Sequence, residues 1–95
     1  MSAEIKKYKA RIFGEFYVVV SDEAEENVAE VVMLVDRMMK EISSKHSGGV
    51  DAKQVAVLTA LRATQELLAL QKQLQLEQIR LEKITTLINE EEALL

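Results

Sequence analysis

Apolar residues recur along the chain with three successive spacings. From Lys7 to Val20 apolar and polar positions alternate and β-branched and aromatic types abound, which is the two-residue period of a strand. From Val28 to Ile42 apolar residues fall at Val28, Val31, Val32, Val35, Met38, Met39 and Ile42, in steps of three and one that trace a single helical face. From Leu67 onward the spacing is three and four: Leu67, Leu70, Leu74, Leu81, Ile84 and Ile88, with Glu77 and Glu91 in the same series. Strand pair, amphipathic helix and coiled-coil helix are the elements these periods predict.

The alternating segment is interrupted by Phe13-Gly14-Glu15-Phe16. A Gly-X pair suits a two-residue type II′ turn, because glycine takes positive φ without steric cost. In that register Phe13 pairs with Phe16, Ile12 with Tyr17, Arg11 with Val18 and Ala10 with Val19. One face then carries Ile12, Tyr17, Ala10 and Val19, and the other Lys9, Arg11, Phe13, Phe16, Val18 and Val20. A lone hairpin is unstable in water, so the first face is expected on a helix. The second is either solvated or dimer-covered surface, or a docking surface for another protein.

Ser21 or Asp22 can cap the next helix, and Asp22 with Glu25 has capping-box spacing. An acidic first turn suits the positive end of the helix dipole. The apolar stripe reads as core, with a Met-bearing groove for peptides as the alternative. Ser43 to Gly49 are expected to form a loop. Asp51 restarts the chain as a cap, with Gln54 at the capping-box position and Val50 placed to staple onto Val55.

From Ala52 nothing breaks the helix. About forty residues at ~1.5 Å each make a rod of roughly 60 Å, longer than the preceding elements can cover, so much of it is expected to protrude. As a heptad, Leu67, Leu74, Leu81 and Ile88 are a positions and Leu70 and Ile84 d positions. Glu77 in that seam costs stability but can fix register. Leu68, Leu76, Ile79 and Leu87 lie outside the seam and favour more than two helices. Near the helix start Val55, Ala56, Val57, Leu58, Ala60, Leu61 and Ala63 wrap most of the circumference, so this part is expected to be enclosed by the hairpin, the first helix and another subunit. Ala56, Leu58, Ala60 and Ala63 therefore join the six seam residues as candidate oligomer contacts. The expected fold is mainly α with a small β-hairpin (α+β), a ββαα head followed by a long protruding helix: residues 1–50 supply the hairpin and helix one, and the long helix over 51–95 packs in the head at first and continues as a dimeric or tetrameric coiled coil.

Composition sharpens this picture. Of 95 residues 48% are hydrophobic but only 4% aromatic, with no proline and no cysteine. A chain this short buries a low fraction of its surface, and without disulfides or thiolate metal sites oligomerisation is the remaining stabiliser. A net charge of −4 argues against neutralising many phosphates, so the short basic stretch Lys6, Lys7, Lys9 and Arg11 is a weak nucleic-acid signal. The apolar runs are far short of a membrane span. Met1-Ser2-Ala3-Glu4 shows no secretory pattern, and a cytoplasmic protein is expected.

Chemistry finds little support. Ser43, Ser44, His46 and Ser47 share a loop with no accompanying buried carboxylate or oxyanion-hole motif. Gly48-Gly49 lacks the Lys-Ser/Thr of a phosphate loop, and His46 is the sole histidine. Glu90-Glu91-Glu92 reads as a solvated helix end. No catalytic residue, metal or cofactor is expected.

Three segments resemble the ZapA family: Ile12-Phe13-Gly14-Glu15-Phe16-Tyr17, a strand-turn-strand with a tyrosine three residues past the glycine; Val35-Asp36-Arg37-Met38-Met39-Lys40-Glu41-Ile42 in the first helix; and Val55-Ala56-Val57-Leu58-Thr59-Ala60-Leu61 followed by Glu66-Leu67-Leu68. Arg62 stands where the family usually has Asn, and Thr59 where it has Ala; Arg62 can pair with Glu66 one turn on. The resemblance implies a non-enzymatic cell-division protein of the bacterial cytoplasm. Paired dimers would form an elongated antiparallel tetramer with heads at both ends, crosslinking FtsZ filaments at mid-cell. It also implies that charged head residues contact FtsZ, here Lys9, Arg11 and Glu15, the last where some members carry Arg. The alternative is a generic coiled-coil adaptor unconnected with division, which would not need the hairpin-helix head.

Overall fold

A computed structural model describes residues 4–46 and 48–94, without the side chains of 91–94. Met1, Ser2, Ala3, Ser47, Leu95 and the side chains of Glu91 and Glu92 lie outside the described residues. Strands β1 (Lys6–Ile12) and β2 (Glu15–Ser21) form a two-stranded antiparallel sheet, followed by helices α1 (Glu25–Lys45) and α2 (Ala52–Leu94). The chain forms two compact units, Met1–Ala60 and Leu61–Leu95.

The hairpin forms where expected, but its register differs. Ile12 pairs with Glu15, Arg11 with Phe16, Ala10 with Tyr17 and Lys9 with Val18. The turn residues are Phe13 and Gly14, with φ of 50° and 81°. Two positive φ values make a type I′ turn, not the type II′ turn that the Gly-X pair suggests. An L-residue in this region costs about 1–2 kcal/mol, and two contacts offset it. The Phe13 N–H donates to Asp36 Oδ1 on α1 at 2.8 Å, a bond strengthened by the charge on its acceptor. The Phe13 ring, half-buried, packs on the core cluster of Met39, Ile42 and Val55. Pairing Phe13 with Phe16 would forfeit both.

The pairing moves by two residues, not one, so each strand residue keeps its face. Ala10 is buried and Tyr8, Ile12 and Val19 are half-buried, while Lys9, Arg11, Phe16, Val18 and Val20 are exposed.

The start of α1 also departs from expectation. Its N-cap is Ala24, with no side-chain cap bond. Ser21 Oγ instead accepts the Glu23 N–H at 3.0 Å, and the Glu23 carbonyl accepts the Tyr8 hydroxyl at 2.8 Å. These bonds hold residues 21–23 as a turn against β1, so the helix begins later than Ser21 or Asp22 would allow. Glu25 and Glu26 keep the first turn acidic, as the dipole favours.

The start of α2 follows the sequence signal: Asp51 Oδ1 accepts the Gln54 N–H at 2.8 Å, and Val50 packs beside Val55 in the core. Val55 is wholly buried, with Met39 and Ile42 around it and Ile12, Phe13, Val35, Val50 and Leu58 half-buried at its rim. Thr59, one turn on, is buried and donates its hydroxyl to the Val55 carbonyl at 2.7 Å. The threonine thus enters an apolar site with its polar atom satisfied.

Candidate functional site

The side chains with most to offer a partner lie on two surfaces. The first is the outer face of the hairpin. Lys9 Nζ stands 4.7 Å and Arg11 Cζ 5.7 Å from the Phe16 ring centroid, within the range of a cation–π contact. The register places this cluster, since Arg11 lies directly opposite Phe16 and Lys9 diagonally from it. The three side chains, with exposed Val18 and Val20, form a cationic and apolar strip. Glu15 does not join it: opposite Ile12 in the ladder, it belongs to the other face. The structure therefore unites two of the three charged candidates with Phe16 and sets Arg11 directly opposite that ring instead of diagonal to it.

Asp36 links this face to α1. Besides the Phe13 N–H, it takes Lys40 Nζ on Oδ2 at 2.8 Å. The Lys40 hydrogen bond, then that from Phe13, and the charges of Lys40 and Arg11 hold its carboxyl below the usual range. It follows Val35 and lies three residues before Met39, both at the core, and an acidic residue beside that stripe was the available signal of a tertiary role.

The second surface is on α2. Leu67, Leu70, Leu74, Leu81, Ile84 and Ile88 are 47–64% exposed. Leu68, Leu76, Ile79 and Leu87 are exposed too, and 3.6 residues per turn sets them away from the seam. Arg80 donates to Glu77 within the seam at 3.4 Å, and Arg62 to Glu66 at 3.3 Å. Ala56, Ala60 and Ala63 are exposed, whereas Leu58 is half-buried against the core of its own chain. On α1, Val31, Met33 and Leu34 are exposed as well.

Among the described residues no group of three or more His, Asp or Glu is placed to hold a metal, and no helix is long and apolar enough to cross a membrane. The described residues thus form a hairpin-helix head and a long helix that carries an exposed apolar heptad interrupted by Glu77. The comparisons with known proteins agree. The family model described as cell division protein ZapA matches residues 8–91. The cell division protein ZapA of Shouchella clausii is 38% identical over 68 residues, 72% of this chain and 86% of that protein. That of Bacillus pumilus is 30% identical over 77 residues, 81% and 89% of the two chains. Among solved structures, a ZapA mutant dimer from Geobacillus stearothermophilus superposes with a TM-score of 0.67 at 30% identity, covering 83% of this chain and 91% of that one. The chain belongs to the ZapA family of cell division proteins.

Proposed function

We propose that this chain is a homo-oligomeric crosslinker of FtsZ filaments, acting without catalysis in the cytoplasm at the mid-cell division site. The observation that carries the reading is the exposed seam of six leucines and isoleucines on α2. About half of each side chain's area is open, so burying the seam in a helix pair gives on the order of 10–20 kcal/mol. That offsets an association cost of about 4–15 kcal/mol. The Geobacillus relative, a ZapA mutant dimer, supports pairing. Leu68, Leu76, Ile79 and Leu87, left over by one seam, support a second pairing into an antiparallel tetramer with heads at both ends. Small residues at Ala56, Ala60 and Ala63 leave room for close approach of another helix.

Two heads on one particle let weak filament contacts reinforce each other through tethering. Lys9 and Arg11, held beside Phe16, are the head residues proposed to meet FtsZ, with Glu15 contributing from the opposite face. The test is co-sedimentation with polymerising FtsZ, with electron microscopy of the pellet. Bundled filaments with the protein in the pellet are expected. Single filaments with the protein left in the supernatant would instead return it to a coiled-coil adaptor unconnected with division.

A further inference from the structure

The free edge of β1 borders a cleft whose walls specify an occupant. In a two-residue hairpin the residues flanking the turn, here Ile12 and Glu15, form a hydrogen-bonded pair, and such pairs alternate along the ladder. Tyr8 and Ala10 therefore direct their N–H and C=O groups to β2, opposite Val19 and Tyr17. Those of Lys7, Lys9 and Arg11 point away from it. Among the described residues, no backbone bond outside the ladder engages these three. The cleft along that edge measures about 540 Å³; residues 7–11 form one wall and Val28, Ala29, Val32 and Met33 of α1 the other.

A strand beside β1 would sit ~4.8 Å from it, and five extended residues would run about 17 Å along the edge. Its side chains would alternate. Those opposite Tyr8 and Ala10 would turn to α1 and meet an apolar wall. Those opposite Lys7, Lys9 and Arg11 would lie on the outer face beside three cations. Two carboxylates also line the cleft: Asp36, already engaged by Lys40 and Phe13, and Glu25, a single opposing charge. We propose that β1 binds an extended peptide segment of alternating acidic and apolar residues by strand addition, main-chain bonds supplying affinity and the two walls selecting the side chains. This goes beyond the crosslinking reading and does not depend on which protein supplies the segment.

The test uses the full chain and a fluorescein-labelled peptide, Gly-Glu-Val-Glu-Val-Glu-Gly, followed by fluorescence anisotropy. Methylating the backbone nitrogens of its three glutamates keeps the charge but removes the donors facing β1, and should weaken binding at least tenfold. Lys9→Pro should do the same with unchanged particle mass and ellipticity, because the missing N–H lies outside the ladder. Equal binding of the methylated peptide, or no saturation by the parent peptide below millimolar concentration, would overturn the proposal. So would a changed mass for Lys9→Pro, which would give the edge to a second copy. Tighter binding of a ten-residue oligothymidylate would give it to nucleic acid.

Discussion

Met1–Ala60 and Leu61–Leu95 contain similar kinds of apolar residues but organise them differently. In the first unit a handful of specific contacts fixes the fold: Asp36 on the Phe13 N–H, Asp51 on the Gln54 N–H, Thr59 on the Val55 carbonyl, and a small cluster around Val55. In the second, one helix repeats a period and leaves its apolar side chains in solvent. Changes in the first unit are therefore felt one contact at a time. In the second, under the pairing proposed above, the seam acts collectively and is felt only when a partner is present. On that proposal local folding is left to the head and assembly to the repeat.

Breaking the repeat should have the largest effect. Leu74→Glu with Leu81→Glu places two charges in the seam and should collapse the particle to a smaller species by light scattering, with the hairpin's NMR shifts retained. An unchanged mass would remove the seam from the assembly. In the head, Asp36→Ala should lower the urea midpoint, because it leaves the part-buried Phe13 N–H without its acceptor, measured in the Leu74→Glu/Leu81→Glu background so that assembly does not intervene. The same carboxylate carries a pH signature. Its folded value lies below its ordinary one, so its stabilisation is full above the unfolded value of about 3.9 and is lost as pH falls through the folded value. The Asp36→Ala protein should lack that part of the acid dependence. Lys9→Glu with Arg11→Glu should leave the mass intact and reduce FtsZ bundling in pelleting assays; equal bundling would remove both residues from the docking face. Arg80→Ala should be the mildest, within about 0.5 kcal/mol, because its pair with Glu77 is exposed and exposed pairs one turn apart contribute little.

These contrasts also explain what could be read in advance. The long helix α2 with its apolar heptad spacing was legible because a heptad is a one-dimensional pattern, and Asp51 because a capping box is complete within four residues. Which residues share a hairpin face was legible from parity alone. The register was not: choosing between Phe13-Gly14 and Gly14-Glu15 as turn residues depends on Asp36 and the Val55 cluster, more than twenty positions away. The cap of α1 failed for the same reason, since Tyr8 engages the Glu23 carbonyl from another strand. At the candidate site, parity put Lys9, Arg11 and Phe16 on one face, but the direct pairing of Arg11 with Phe16 and the place of Glu15 opposite Ile12 followed only from the ladder.

The tyrosines give this division an optical form. The chain has no tryptophan and two tyrosines, Tyr8 and Tyr17, one on each strand of the hairpin. Intrinsic emission thus originates entirely in the first unit. Ellipticity at 222 nm is dominated by α1 and α2, 21 and 43 residues long. A single melt followed in both channels reads the hairpin and the helices separately, without a label.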